Sequence, residues 1–523
     1  MARTPPAEAV NILPLYFQFI HGYNRGMVGE QRLVPFVDKG TVMGRYLFIL
    51  AALLMLVSCD DVGTKTLTES DLGKDDNAAD TTVDIEEQDV KTDDSFPDDL
   101  TDTAQPDNDS VNESDVIADN DAINIVPLNI AWIKQCPDIA TVLAVDEVNI
   151  YTAGATALAL DENTNTGLDD VFLTKWSNEG TEIWTKQWGS TENDDAFSVA
   201  ARGSNIFIAG ITEGSFDGNT LPAPGYQDSF LLRTDTNGAP VWIKQWGAGA
   251  WDTAASVAID NSNDTYTTGS LDEFIEPNYY SDIFLQKRND EGNLLWEKQW
   301  GTGADDYGVS VVMDSEDYIY VTGSTMLSLD GNINPNEGWH DVFLTKWDSS
   351  GTKLWTKQWG TVEVDHAQKM VIDDSDNIYI TGNTDGSFDG YTNVGGKQDI
   401  FLTKLDTEGS MIWTVQWGTD KNEDVVSVAV SRSGSIFVAG RTEGVLDGNT
   451  KIGSYDIFLT KWNANGTKAW TKQWGTEKMD WVYDMVTDSS DNIYLVGYGP
   501  LDINSSSSEN NYAPFLMKIL PEE

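Results

Sequence analysis

Trp184-Thr185-Lys186-Gln187-Trp188-Gly189 is a stretch that this chain writes repeatedly. The pattern Trp-x-Lys-Gln-Trp-Gly, with small variations, ends again at Gly247, Gly301, Gly360, Gly418 and Gly475. A degenerate seventh copy reads Trp132-Ile133-Lys134-Gln135-Cys136. The seven glutamines, at 135, 187, 245, 299, 358, 416 and 473, lie 52 to 59 residues apart. A period of about 50 residues is the signature of a propeller or an array, whose units bury their apolar faces only against each other. Strand alternation puts Trp184, Lys186 and Trp188 on one face, where the lysine stem lies along aromatic rings and its ammonium stays wet. Because nearly every unit repeats the pattern, packing between units is the expected role of these tryptophans, ahead of ligand binding.

Three further strands precede each of the six later copies. Strand c reads Asp341-Val342-Phe343-Leu344-Thr345-Lys346-Trp347, and its phenylalanine recurs at 172, 230, 284, 401, 458 and 515. A short loop ending in glycine, such as Ser349-Ser350-Gly351, joins it to the motif strand, d, as a hairpin. Strand b, as in Asn205-Ile206-Phe207-Ile208-Ala209-Gly210, carries an aromatic at 151, 207, 266, 320, 379, 437 and 494 and a glycine three residues later. Glycine there allows close backbone approach. Strand a, as in Asp194-Asp195-Ala196-Phe197-Ser198-Val199-Ala200, is rich in small and β-branched residues and suits the crowded centre of a ring.

The ends of the chain decide between array and ring. After Trp474 the sequence supplies strands a (480–488), b (492–497) and c (515–519) but no d, whereas a lone d strand lies at 129–136 ahead of the first a strand. The expected fold is all-β: a seven-bladed β-propeller of four-stranded antiparallel blades, the last closed by the N-terminal strand 129–136. Closure removes free sheet edges at the chain ends. With its Asp-x-x-x-Ser-Val-Ala, Asn-Ile-Tyr-x-x-Gly, Asp-Ile-Phe-Leu-Thr-Lys and Trp-Thr-Lys-Gln-Trp-Gly segments, the chain resembles the bacterial SBBP (seven-bladed β-propeller repeat) family over residues 129–520. That resemblance implies a propeller and, for many members, a secreted or surface location. Two places depart from the pattern: Cys136 replaces the second tryptophan of its d strand, and Leu271-Asp272-Glu273-Phe274 replaces the usual Phe-Asp-Gly-Asn.

Upstream, Arg45 precedes an apolar run from Tyr46 to Val57, followed by Ser58-Cys59. The run is too short to span a bilayer comfortably and fits a signal-peptide core. Leu56-Val57-Ser58-Cys59 resembles a bacterial lipobox, which implies cleavage before Cys59 and its lipidation. The expected organisation is a non-native or extended N-terminus at 1–42, a lipoprotein signal peptide at 43–58 starting at Met43, the lipidated cysteine with a disordered acidic tether at 59–121, and the propeller at 122–523. Residues 60–121 carry 22 acidic and 3 basic residues and one aromatic, a composition that cannot offset chain entropy. Residues 122–523 carry 60 acidic and 24 basic residues, so nucleic acid is not an expected partner.

The antiparallel order places the b–c and d–a connections on one face of the ring. Acids gather there: Asp217, Asp228, Asp330, Asp341, Asp389, Asp399, Asp447 and Asp456, with Asn219, Asn332 and Asn449. The d–a connections add Asp195, Asp252, Asp306, Asp365, Asp424 and Asp480. Oxygen ligands at short spacing suit Ca²⁺, but Asp-Gly-Asn lacks the regular alternation of an EF-hand loop, and turn chemistry explains it as well. No cofactor is required by any motif. Residues that break the repeat near the same face are Trp251, Trp339, His340, His366, Trp481, Tyr279 and Tyr280; Trp251, Trp339, His340, His366 and Trp481 are the candidate ligand patch. The leading functional expectation is a monomeric, non-catalytic, lipid-anchored propeller of the bacterial cell envelope, on the outer membrane or surface ahead of the inner membrane, that presents a loop face to a protein or glycan. The alternatives are a carbohydrate-active lyase or hydrolase using acids of that face, and a structural spacer.

Overall fold

The computed structural model describes residues 128–522 apart from 217, 219–225, 250, 276–277, 335–337, 389, 394, 396–397 and 503–511, and leaves the side chains of 273–279 undescribed. Cys59, the signal segment and the tether lie outside the described residues, as do the candidate residues Asp217, Asn219 and Asp389. The described strands form seven four-stranded antiparallel sheets. Six are sequential, spanning 140–188, 194–246, 253–300, 306–359, 365–417 and 423–474 as blades 1 to 6. Blade 7 takes strands a to c from Trp481–Thr487, Ile493–Pro500 and Tyr512–Ile519 and its strand d from Ile130–Gln135. Ile130 pairs with Ile519 and Gln135 with Phe515, so the two ends of the chain share one sheet.

The repeat follows from position in the ring. Strands b and c lie between strands of their own sheet and between blades, and are apolar and buried nearly throughout, as in Asn205–Thr212 and Asp341–Trp347. Strand d is the outer edge and alternates exposed with part-buried residues, as in Leu294–Trp300. Strand a converges on the axis, and its pairing with b shifts register at the same place in every blade, between Ala140 and Val142 in blade 1 and between Val482 and Asp484 in blade 7. Such a bulge bends and twists the strand, which lets seven sheets close around one axis.

The outer seam explains the first motif tryptophan and its lysine. The c–d turn glycine of the following blade takes a positive φ and seats on them, as Gly238 does on Trp184 and Lys186 and Gly292 on Trp242 and Lys244. A Cβ on Gly238 would stand 2.6 Å from the Lys186 stem. Gly180 of blade 1 seats in the same way on Trp132 and Lys134, so the detached strand makes the seam that closes the ring.

A second pattern sits at the a–b turns. Tyr151, Tyr320, Tyr379 and Tyr494 donate their hydroxyls to Asp146, Asp314, Asp373 and Asp488 at 2.8 to 3.0 Å, and each aspartate also caps its own turn amides. Where the aromatic is Phe207 or Phe437, the turn opens with Arg202 or Ser431 instead. The acid is kept where a buried hydroxyl needs an acceptor and lost where none exists.

Removing 129–136 takes away the fourth strand of blade 7 and the cover that Ile130 and Ile133 give its core. The expected loss is at least about 4 kcal/mol in denaturant unfolding; an unchanged midpoint would mean that the N-terminal strand does not close the ring.

Candidate functional site

The b–c and d–a connections do lie together at one end of the strands, and that face has a constant layer beneath a variable one. The constant layer is built on the motif glutamine. Gln358 Nε2 donates to the Asp341 carboxylate and to the Leu327 carbonyl, both at 3.1 Å, while its Oε1 accepts the Leu329 amide at 2.8 Å. Gln187, Gln245, Gln416 and Gln473 repeat these three bonds on Asp170, Asp228, Asp399 and Asp456. One side chain thus ties the end of strand d to strand c and to the b–c loop. The apolar residues Leu160, Phe216, Leu329 and Leu446 that these loops contribute are buried beside it, and Phe388 is partly buried. In blade 3 strands b and c run on as Thr265–Ile275 and Asn278–Arg288, and among the described residues Gln299 reaches only Asp282, at 3.4 Å. The sequence departure at Leu271–Phe274 is therefore a longer hairpin.

The motif glycine completes this layer. A Cβ on Gly301 would lie 2.2 Å from Asp282 Oδ1 and 2.8 Å from Asp306 Oδ2, and on Gly247 it would lie 2.3 and 2.4 Å from Asp228 and Asp252. The acid opening strand c of one blade and the acid opening strand a of the next meet over a residue that has no side chain. The second acid also accepts the amide of the residue after that glycine, as Asp365 does from Thr361 and Asp480 from Thr476.

The candidate calcium residues fall into two sets. Asp228, Asp341, Asp399 and Asp456 are the buried glutamine acceptors just described. Asp330 and Asp447, both at positive φ, pair with Lys353 and Lys468 and accept the Thr356 and Thr471 hydroxyls. Asn332 and Asn449 use their amides to donate to loop and strand carbonyls. Among the described residues no three histidine, cysteine, aspartate or glutamate side chains form a group able to hold a metal ion.

The variable layer occupies three columns. The first is the residue after the acid of strand a: Ile139, Asp195, Thr253, Tyr307, His366, Asp424 and Trp481 in blades 1 to 7. The second is its register partner on strand b, as in Asp195–Ile211, His366–Asn383, Asp424–Arg441 and Trp481–Tyr498. The third is the residue before the acid of strand c, such as Asp169, Gln227, His340 and Tyr455, whose carbonyl accepts the amide of the next blade's acid. Each third-column residue thereby stands beside the first column of the following blade.

These columns form three sectors. At blades 6 and 7, the Arg441 guanidinium lies 3.6 Å from the Trp481 ring centroid and 4.7 Å from that of Tyr455, and it is held by Asp424 at 2.6 and 2.8 Å. Tyr483 lies nearly parallel to Trp481, and Tyr498 meets Tyr512 edge-on. At blades 4 and 5, His340 stacks on His366 with centroids 4.8 Å apart and on Tyr307 at 5.7 Å. At blades 1 and 2, burial, with Asp169 and Asp194 beside it, pushes Asp195 up to about 7. The candidate patch is thus divided: His340 and His366 are in contact, Trp481 belongs to another sector, and Trp339 stands one position and Trp251 two positions outside the columns, Trp251 half exposed. Tyr280 lies on the extended hairpin, and the side chain of Tyr279 is not described. Arg441, Tyr455, Tyr498, Tyr512 and Tyr307 were missed in the sequence. The available signal was the set of columns in which the seven copies share no residue type.

A family model for the SBBP beta-propeller repeat matches residues 354–389, which run from strand d of blade 4 into the b–c loop of blade 5. The chain carries the SBBP repeat. Among curated proteins, the SBBP-repeat chain is 28% identical over 214 residues to the regulatory protein FlaEY of Caulobacter vibrioides, covering 38% of this chain and 22% of that one. It is 24% identical over 258 residues to a WD repeat-containing protein of Acanthamoeba polyphaga mimivirus, covering 37% and 18%. The chain spans about a fifth of the length of these relatives. Among solved structures it is similar to the Pan2 WD-repeat domain of Neurospora crassa (10% identity, 75% of this chain and 95% of that one, TM-score 0.43) and to a polysaccharide lyase, an ulvan lyase (11% identity, 76% and 96%, TM-score 0.41).

Gln358→Leu keeps the volume but leaves the Asp341 acceptor and the Leu329 amide without partners, so a loss of about 2 kcal/mol in unfolding is expected. Gln299→Leu, where the clamp is nearly absent, is expected to cost less than half as much; equal losses would contradict the role given to the glutamine.

Proposed function

We propose that this protein is a non-catalytic, lipid-anchored module of the bacterial cell envelope that offers the variable face of its propeller to a protein or glycan partner. The supporting observation is where the repeat breaks. Seven copies agree at the positions that build blades and differ in three columns that open on one face, whereas a plain spacer gives no reason for the variation to gather. Tryptophan, tyrosine and arginine, concentrated at blades 6 and 7, are the side chains that supply most binding energy at interfaces. The excess of acids makes a neutral or basic partner the better match. Lipidation at Cys59 and the acidic stretch 60–121 would hold this face away from the bilayer, since a self-repelling chain is extended.

Asp169 and Asp195 favour a second reading, a carbohydrate-active lyase or hydrolase. An acid held near neutrality beside another acid is suited to proton transfer.

With the Cys59→Ala full chain as bait in envelope extract, Trp481→Ala combined with Tyr512→Ala is expected to reduce captured partner at least about tenfold. Leu295→Ala, on the exposed outer edge, is expected to leave capture unchanged. Equal capture by all three baits would sink the binding reading, and turnover of any glycan that Asp195→Asn abolishes would replace it with the enzymatic one. Cys59→Ala by itself is expected to move the protein from the membrane to the soluble fraction; unaltered fractionation would remove the anchor from this account.

A further inference from the structure

The acids that open strand a in blades 2 and 4 are buried without a cation. Asp194 and Asp306 are fully buried, and no lysine, arginine or histidine pairs with either among the described residues. One carboxylate oxygen of each is engaged: Asp194 Oδ2 accepts the Ser190 amide at 2.5 Å, and Asp306 Oδ2 accepts the Thr302 amide at 2.5 Å and its hydroxyl at 2.8 Å. The other oxygen, Oδ1, is buried in both and receives no donor. A buried carboxylate oxygen without a donor is costly, and a second acid adds repulsion: Asp170 faces Asp194, and Asp282 faces Asp306.

The strand b partners of these acids in the register are Thr212 and Thr325. Each hydroxyl has one proton, for which the carboxylate competes with a loop carbonyl, that of Gly214 at 3.3 Å from Thr212 and that of Leu327 at 3.1 Å from Thr325. Whenever the hydroxyl donates to the carbonyl, its oxygen faces the carboxylate as an acceptor and no proton lies between them. Blade 6 shows the alternative: there the longer Glu423 accepts the Thr442 hydroxyl directly at 2.8 Å.

We propose that Asp194 and Asp306 are proton-loading sites of the ring: each takes a proton from solvent on Oδ1 and donates it to the facing threonine hydroxyl, and the loaded propeller is the more stable form. The titratable groups around Asp194 are Asp170 on the preceding blade and Asp169 and Asp195 beside it; around Asp306 they are Asp282 on the preceding blade and Asp305 and Tyr307 beside it. None of them is basic, and the carboxylates among them favour loading. Burial pushes both aspartates from 3.8 up to about 6. A folded-state value above the unfolded one means that the folded chain holds more protons between these limits. Stability is therefore greatest in acid and falls as pH rises through about 6.

The test is denaturant unfolding of the Cys59→Ala full chain at pH 5 and pH 7.5 in high salt, which screens the acidic surface but leaves buried groups unscreened. The unfolding constant is expected to be about tenfold smaller at pH 5 for each loaded acid. Asp306→Asn, which carries its own donor, is expected to raise stability at pH 7.5 and remove one tenfold step, while Asp290→Asn on the exposed surface removes none. A protonated-carboxyl infrared band is expected at pH 6 in the parent and reduced in Asp306→Asn; should that variant not fold, Thr325→Val serves instead and is expected to weaken the pH 5 gain. The proposal is overturned if stability is flat or rises from pH 5 to 7.5, or if no such band appears. It is equally overturned if Ca²⁺ at pH 7.5 stabilises as much as acid does, since the junction would then be a cation site.

Discussion

In five of the seven blades one glutamine side chain holds strand c, strand d and the b–c loop together at the loop face. A strand d lying on the outer edge of a sheet has no neighbour beyond it, and a b–c loop that leaves the sheet has buried backbone groups to satisfy. The glutamine amide is the one uncharged group of suitable reach with both donors and an acceptor, so it meets both needs at once, bonding the acid of strand c, a loop carbonyl and a loop amide. The glycine that follows is then required because two carboxylates close over it. Blade 3 tests the logic within the molecule, since its loop is replaced by a hairpin and its glutamine makes a single long bond.

This layer leaves three positions per blade without structural duty. They sit just outside the clamp, where strands a, b and c open on the face, and there the seven copies diverge into an aromatic and arginine sector, a histidine sector and an acidic sector. A ring is suited to such variation because each blade supplies the same three places at a different angle about the axis. Chemistry can therefore be changed blade by blade without altering packing. The same closure confines charge: acids needed to order the junctions are pressed together in pairs, and burial raises their proton affinity.

Particular residues show how far the sequence could be read. The detached Trp132–Cys136 copy identified the ring, because a missing d strand at one end and a spare one at the other leave a single economical pairing, and Ile130–Gln135 does pair with Tyr512–Ile519. The Tyr–Asp and Phe–Arg/Ser exchange at the a–b turns emerged only with the structure, which brings each tyrosine hydroxyl onto the acid five or six residues before it. The site was less so. His340 and His366 stood out as the rare histidines of the chain, and they touch; Trp481 stood out by size alone, and its neighbours Arg441, Tyr455 and Tyr498 did not, because they lie 26 and 40 residues upstream and 17 residues downstream. Asp330 and Asp341 looked alike as acids of one loop, yet one pairs with a lysine and the other with a glutamine.

By itself the sequence determined the number of blades, the strand order within each, the composite seventh blade and the face on which variation gathers. All of these follow from local periodicity and from counting copies, because a repeated unit must bury the same apolar face each time. Only the tertiary structure decided which variable residues meet. Neighbouring columns belong to different blades, and the distance between them is set by strand register and by the angle at which blades close, neither of which is written in any one repeat. The carboxylate pairs arise from the same cause: each acid is ordinary within its own blade and becomes buried and paired only where the next blade arrives.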